Sequence, residues 1–288
     1  MSVVVKTAVL VTHMHPDNSS SAVAAACAAA RETGIELSAS PDEHRKHGDV
    51  VADCKPVDDL PDHPDLCLVL GGDGSILYAL RRYARTGVPV FGINFGTIGF
   101  LAACERDQLD EGLKHAFGGE FEVMSMPGLE LGLDIENRFG LNDVTFVRAL
   151  HGRVAELSYR VQGEEVGHVR CDGLVVATPA GSTGYNLANG GPILAWGVQG
   201  YVVSFIAPHT LTARALVVAP GDVLHVGNGA GREPVEIELD GDHCCQLEPG
   251  EEVEVSFRDG VGSLAQYKGA TFYHRMREKF GRLAKQRI

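Results

Sequence analysis

The chain has 288 residues, of which 44% are hydrophobic, and a formal net charge of -13. A nucleic-acid-binding surface needs a concentration of basic residues, so this acidic balance argues against a nucleic-acid partner. At roughly 100 to 200 residues per domain the length favours two domains, and no run reaches the roughly 18 apolar residues of a membrane span. We therefore expect two domains and no membrane partner.

The first third of the sequence alternates apolar runs with helical segments. Helices are predicted at about Ser20–Glu32 and Ile76–Arg85. Strands are predicted at Val3–Val11, Leu66–Leu70 and Val88–Ile93. Continuous apolar strands separated by helices are typical of a parallel sheet that is covered on both faces. We expect an α/β N-terminal domain with a parallel sheet over residues 1–115.

After Phe121 the long helices largely vanish, and short strands separated by turn residues follow. The predicted strands are Leu129–Ile135, Asp143–Leu150, Val154–Val161, Leu174–Ala177, Val202–Ile206, Val235–Leu239 and Val253–Phe257. This spacing favours a largely antiparallel all-β C-terminal domain, sandwich-like and spanning 116–270.

Residues 271–288 carry six Lys or Arg and one acid, Glu278, and favour an amphipathic helix. A single short basic segment binds an anionic membrane surface only marginally. We therefore expect this helix to pack back on the first domain.

The turn Gly71-Gly72-Asp73-Gly74 follows the predicted strand Leu66–Leu70 and precedes a helix. Its glycines allow positive φ and the close approach of a ligand, and Ser75 is a candidate cap for the helix, whose amino end attracts phosphate. Neither GxxxxGK[ST] nor GxGxxG occurs at this turn. Asp73 is a candidate base, although the turn alone is also compatible with a purely steric role.

Four further segments accompany this turn in a fixed order. They are Phe91–Leu101, Leu141-Asn142-Asp143, Cys171–Tyr185 with its Thr178-Pro179-Ala180-Gly181-Ser182-Thr183-Gly184-Tyr185 loop, and His209-Thr210-Leu211. With the glycine turn they make the chain resemble the NAD kinases, from about residue 64 to 260. Phosphofructokinases and lipid kinases share the glycine turn but, as families, lack the Thr178–Tyr185 type of loop. The resemblance implies transfer of the terminal phosphate of ATP to the 2′-hydroxyl of the adenosine ribose of NAD.

The resemblance also implies roles for individual residues. Asp73 would take the proton from the ribose hydroxyl. Asn142 and Asp143 would hold ribose hydroxyls, while Arg170 and Asp172 would lie on the nicotinamide side. The full set of binding residues is Gly72, Gly74, Asn94, Asn142, Asp143, Arg170, Asp172, Thr178, Ala180, Ser182, Thr183, Gly184, Tyr185, Ala188 and Asp242. An arginine at 170 resembles the family members that prefer NAD to NADH, so we expect that preference here.

Four positions depart from the usual family pattern: Ser75, Asp143, Ala188 and Asp242. They leave open two alternatives to NAD phosphorylation. One is a family member that phosphorylates another nucleotide or nucleoside, and the other is a relic that binds NAD without turnover.

ATP would bring Mg²⁺, which neutralises the triphosphate without a dedicated protein cage. His13 and His15 lack an evident third ligand beside Asp17 and are not expected to hold a metal. The resemblance implies a homodimer or homotetramer. The seven cysteines are odd in number and lack CxxC spacing, which is typical of reduced thiols and favours the cytoplasm.

Overall fold

The computed structural model describes residues 3–96, 99–135, 138–149, 154–229 and 233–281. The chain forms two compact units: a first unit of Met1–Ser125 with Gly262–Ile288, and a second unit of Met126–Val261. The sequence predicts domains of 1–115 and 116–270 followed by a helix over 271–288. In the structure the first unit extends to Ser125, and the chain returns to it at Gly262.

The first unit alternates strands with helices, as the apolar runs of the sequence predict. Its elements up to residue 118 are β1 (Thr7–Thr12), α1 (Ser20–Thr33), β2 (Glu36–Ala39), α2 (Pro41–His47), β3 (Lys55–Pro56), β4 (Leu66–Gly71), α3 (Asp73–Arg82), β5 (Val90–Asn94), β6 (Cys104–Glu105) and α4 (Leu109–Gly118).

These strands form a parallel sheet in the order β5-β4-β1-β2-β3, with β6 beside β5. The whole of β4 is buried, as is β1 after its first residue, which is the pattern of a parallel sheet covered on both faces. Ala8 lies opposite Leu66, and Gly71 at the end of β4 lies opposite Asn94 at the end of β5. The predicted α/β domain with a parallel sheet is confirmed.

The rest of the chain is mainly strands. Its elements are β7 (Glu122–Leu131), β8 (Phe139–Gly140), β9 (Asp143–Arg148), β10 (Ala155–Val161), β11 (Glu164–Cys171), β12 (Gly173–Ala177), α5 (Tyr185–Ala188), β13 (Tyr201–Ile206), β14 (Leu216–Val218), β15 (Leu224–Asn228), β16 (Val235–Leu239), β17 (Asp242–Leu247), β18 (Glu252–Gln266) and α6 (Phe272–Phe280).

In the second unit, one antiparallel sheet has the order β14-β13-β12-β9-β16-β17. A second antiparallel array runs β11-β10-β15-β18. Side chains from both share one core, including Phe146 and Val176 from the first and Leu157, Val226 and Val255 from the second. This shared core confirms the largely antiparallel C-terminal domain.

The end of β18 and the whole of α6 belong to the first unit. Leu264 and Ala265 pair in parallel with Val90 and Phe91 of β5. The chain therefore returns to the first unit before residue 270. The predicted C-terminal helix exists as α6, which includes Arg275, Arg277 and Lys279. The basic positions 282, 285 and 287 lie outside the described residues. Among the described residues, none of the helices combines the length and apolarity that crossing a membrane requires.

Candidate active site

The glycine turn links β4 to α3 in very little space. A Cβ on Gly71 would lie 2.5 Å from Ser75 Oγ, and a Cβ on Gly96 would lie 3.1 Å from the Cα of Gly72. The helix begins at Asp73 rather than Ile76, with Gly72 as its N-cap and no side-chain cap. The prediction that Ser75 caps α3 is therefore wrong, because Ser75 lies inside the first turn with its hydroxyl against Gly71.

Asp73 is the first residue of α3, yet its carboxylate does not cap that helix. Phe100 donates its backbone N–H to both carboxylate oxygens, at 2.7 Å and 3.0 Å, and Leu101 donates its N–H to Oδ1 at 3.0 Å. A loop that lies 27 residues further along the chain thus fixes this carboxylate. The Asp73 carboxylate therefore does not act as a local helix cap, because its hydrogen bonds go to a loop that is distant in sequence.

The protonation of Asp73 reflects two opposing influences. Burial raises the pKa of its carboxyl above the ordinary value, while the hydrogen bonds from Leu101 and Phe100 and the positive charges of Arg275 and Lys279 lower it. The net pKa shift is upward. A carboxylate with a raised pKa is a stronger base than a solvated one, which suits proton abstraction from a hydroxyl.

Asn94 shapes the backbone beside the glycine turn. Its side chain is 3% exposed, accepts the N–H of Gly96 at 3.0 Å and donates to Glu105 Oε2 at 2.7 Å. A Cβ on Gly99 would lie 2.7 Å from the Asn94 amide carbon. Both ends of the Asn94 amide are therefore engaged in holding the loop.

In the second unit, Asp240 fixes the turn that carries Asn142 and Asp143. Its carboxylate accepts the backbone N–H groups of Leu141 at 3.0 Å, Asn142 at 2.6 Å and Asp143 at 3.0 Å. Asp240 has a φ of 52°, a left-handed conformation uncommon for a residue with a side chain. Asp242 in this segment is a predicted site residue, whereas Asp240, which belongs to the same Asp-Gly-Asp motif, is not among the predicted residues.

Asn142 and Asp143 bring two buried polar groups to this turn. Asn142 Oδ1 is buried and meets no hydrogen-bond donor among the described residues. Asp143 is 6% exposed, and burial, with the negative charges of Asp240 and Glu238, raises its pKa to about 7. A ligand hydroxyl could donate to either group, so the pair suits recognition of a polyol such as ribose.

The loop from Thr178 to Ala188 is held by its own side chains. Thr178 Oγ1 donates to Leu141 O at 2.7 Å and accepts the N–H of Gly181 at 3.1 Å. Ser182 Oγ donates to Pro179 O at 2.7 Å and accepts the Leu194 N–H at 2.9 Å. Both side chains are fully buried.

The members of this loop therefore divide into two groups. Thr178, Ala180 and Ser182 are buried and support the loop from inside. Thr183 is half-buried, whereas Gly184, Tyr185 and Ala188 are exposed. The accessible group presents small surfaces and one aromatic ring.

Three other predicted residues lie near the surface of the second unit. Arg170 is exposed on β11 and its Nε lies 3.3 Å from Glu156 Oε1. Asp172 follows β11 and accepts from Arg148 Nε at 2.8 Å. Asp242 is the exposed first residue of β17.

Within the described residues, no three His, Cys, Asp or Glu side chains come together in a way that could hold a metal ion. His13 and His15 lie with ring centroids 5.5 Å apart, and His13 Nδ1 accepts the His15 N–H at 3.0 Å. One of the four ring nitrogens is thus already engaged by the backbone.

Two family models match the chain. Residues 9–121 match the ATP-NAD kinase N-terminal domain, and residues 141–261 match the ATP-NAD kinase C-terminal domain. An NAD kinase of Carboxydothermus hydrogenoformans is 33% identical over 228 residues, which is 77% of this chain and 81% of that protein. An NAD kinase of Rhodopirellula baltica is 36% identical over 222 residues, covering 75% of this chain and 71% of that protein.

Two solved structures share the fold. The crystal structure of yeast NADH kinase complexed with NADH has a TM-score of 0.82 at 20% identity and covers 99% of this chain and 90% of that one. The crystal structure of an NAD kinase from Archaeoglobus fulgidus in complex with ATP has a TM-score of 0.71 at 23% identity, with 96% and 97% covered. At these identities the likeness concerns the fold alone.

Proposed function

Since the chain belongs to the ATP-NAD kinase family, and phosphorylates NAD with ATP to give NADP, we propose that Asp73 is the base of that transfer. The observation that carries the proposal is the carboxylate of Asp73, held by the Phe100 and Leu101 amides with its pKa raised by burial. Such a group is fixed in place and basic enough to accept a proton.

The reaction makes one oxygen–phosphorus bond and breaks another. The 2′-hydroxyl of the adenosine ribose loses its proton to the Asp73 carboxylate as its oxygen bonds to the terminal phosphorus of ATP. The bond from that phosphorus to the bridging oxygen breaks, and ADP leaves with the bond's electron pair. Holding the carboxylate in one orientation lowers the entropy cost of this alignment.

The phosphates of ATP would lie against the glycine turn. Gly72 is the N-cap of α3, and a Cβ on Gly74 would meet nothing within 4 Å among the described residues. Backbone N–H groups at a helix N-terminus attract anions, and glycine lets phosphate oxygens approach them closely. Asn94 would contribute indirectly, by holding the neighbouring loop that packs on Gly72.

The second unit would recognise the dinucleotide. The free Oδ1 of Asn142 and the carboxyl of Asp143 are acceptors for ribose hydroxyls. The exposed surfaces of Thr183, Gly184, Tyr185 and Ala188 would contact adenine and pyrophosphate. The buried members of the loop, Thr178, Ala180 and Ser182, would keep those surfaces in position.

Arg170 is proposed to favour NAD over NADH. Its guanidinium is exposed and paired only loosely with Glu156, so it can reach a carboxamide or phosphate oxygen. Asp172 and Asp242 would add polar contacts to the dinucleotide. Initial rates with the two dinucleotides at equal concentration test this preference, and equal rates would contradict it.

The divalent metal is proposed to be Mg²⁺ carried by ATP. Mg²⁺ prefers oxygen ligands, retains several waters and commonly binds through substrate phosphates. When bound, the ion would neutralise charge on the transferred group.

The assembly and location are proposed on the family resemblance. We place the chain in the cytoplasm as a homodimer or homotetramer. All seven cysteines are free and five are buried, which suits a reducing compartment. Sedimentation at working concentration tests the assembly, and a pure monomer would contradict it.

The experiment for the base is Mg-ATP turnover with NAD, coupled to an NADP-specific dehydrogenase. Asp73→Asn should lose about 10² to 10⁴ in kcat, the usual contribution of general base catalysis. Asp65→Asn is a matched control, because Asp65 also accepts two backbone N–H groups, from Lys6 and Thr7. Equal losses in both variants would refute a catalytic role that is particular to Asp73.

A further inference from the structure

The loop that holds Asp73 is itself held from the opposite side. Phe100 and Leu101 direct their N–H groups at Asp73. Their carbonyl groups point elsewhere: Arg275 Nη1 donates to Phe100 O at 2.9 Å, and Gln266 Nε2 donates to Leu101 O at 2.7 Å. Each of these two residues is therefore fixed through both its N–H and its C=O.

Arg275 completes the arrangement from α6. Its guanidinium also donates to Ala102 O, and to Gln266 Oε1, so that it bridges the loop and the end of β18. Arg275 is 9% exposed and Gln266 is 4% exposed. A buried planar guanidinium that engages several carbonyl oxygens is a rigid support.

Ring packing reinforces the same contact. The Phe100 ring lies 5.8 Å from the rings of both Phe272 and Phe280, which stand at the two ends of α6. Helix α6 is anchored in turn at Thr271, whose hydroxyl accepts the His274 N–H at 3.2 Å, and through an ion pair of Lys279 with Glu105. Helix α6 thus contacts Phe100 both at its ring and at its carbonyl oxygen.

We infer that Arg275 and Gln266 are positioning residues for phosphoryl transfer: from the C-terminal segment they set the Phe100–Leu101 backbone that orients Asp73. This inference rests on the proposed role of Asp73 as the base. Arg275 also acts on Asp73 by charge, because its positive charge lowers the pKa of that carboxyl alongside the charge of Lys279.

Two consequences follow for Arg275→Gln. The loop loses its guanidinium support, so the carboxylate is misaligned and kcat falls by about tenfold or more, while KM for NAD and for ATP stays nearly unchanged. Removing the positive charge raises the pKa of Asp73, so the rising limb of kcat against pH moves to higher pH. A residue that served only folding would not move that limb.

The matched control is Arg277→Gln on the same helix. Arg277 is exposed and lies 3.2 Å from His274 Nδ1, so its loss should leave kcat and the pH limb as in the native chain. Arg275 lines an open pocket of about 350 Å³, so water has access to the space that the shorter glutamine leaves. Thermal melting of each variant checks that it folds.

Gln266→Met provides a second variant of similar volume. It removes the hydrogen bond to Leu101 O and the one that Gln266 Oε1 accepts from Arg275, without removing charge. We expect a fall in kcat at unchanged KM and a smaller upward shift of the pH limb than in Arg275→Gln, because the hydrogen bonds to Asp73 weaken while the charge of Arg275 stays. This result decides the question if Arg275→Gln does not fold. An unchanged kcat in Gln266→Met, or in folded Arg275→Gln, overturns the inference.

Amide hydrogen exchange separates this inference from the proposed function. The Phe100 and Leu101 amides should exchange faster in Arg275→Gln and in Gln266→Met than in Arg277→Gln, whether or not Asp73 is the base. Native-like protection of both amides overturns the positioning role. A different outcome is that protection falls in Arg275→Gln and Gln266→Met, their kcat is unchanged, and Asp73→Asn is fully active. In that case Asp73 is not the base, and the catalytic part of the inference fails with it.

Discussion

Replacing Asp143 by asparagine should change how stability depends on pH. Burial and the neighbouring charges raise the pKa of Asp143 from 3.8 to about 7 in the folded chain. Between these two values the folded chain therefore binds more protons than the unfolded chain, so this group makes stability fall as the pH rises through that window. The full shift corresponds to about 4 kcal/mol of unfolding free energy.

Most of that change falls between pH 5 and pH 8. The native chain should lose about 3 kcal/mol over this interval relative to Asp143→Asn, which stays neutral throughout. Urea unfolding of both chains at several pH values measures the difference. Asp259→Asn, an exposed carboxylate in the same unit, should track the native chain at every pH. A constant difference between native and Asp143→Asn would refute the reasoning.

Three further changes test the site. Gly181→Ala should lower the melting temperature, because the added Cβ would lie 2.0 Å from Asn142 O. Gly197→Ala should not, because its added Cβ would meet nothing within 4 Å among the described residues; equal melting temperatures of the two variants would contradict this. Thr178→Val should cost about 1 to 3 kcal/mol in urea unfolding, since it leaves buried groups unpaired, and a neutral effect would contradict the role of its hydroxyl. Gly74→Ala should fold normally but turn over more slowly at limiting ATP, and native kinetics would count against phosphate contact there.

Local sequence predicted several elements whose side chains are buried, but it missed the buried strand β15 and the helices α2 and α4. The fully apolar run at β4 and the alanine-rich α1 have the expected places. Strands β11 and β17 were also not predicted. Both lie at sheet edges, and most residues of β11 and half of those of β17 are exposed. Such strands depend on pairing with a neighbour, which no local pattern reveals.

The sequence predicted the motifs of the site but not the residues that hold those motifs in place. Asp73 and the Asn142-Asp143 pair stand out as a motif that resembles a family. The groups that orient them come from distant sequence: Phe100 is 27 residues from Asp73, and Asp240 lies 97 residues from Asp143. Arg275 was one basic residue among six in the C-terminal segment, and only folding distinguishes it from the others.

The base role of Asp73 is tested most directly by single-turnover formation of NADP, with the enzyme in excess over NAD and above its dissociation constant for NAD, at saturating Mg-ATP. Under these conditions neither substrate binding nor product release limits the rate, so the chemical step is compared alone. The account predicts that Asp73→Asn binds NAD like the native chain in calorimetry and forms NADP about 10² to 10⁴ times more slowly. A variant that binds NAD and forms NADP at the native rate would contradict it.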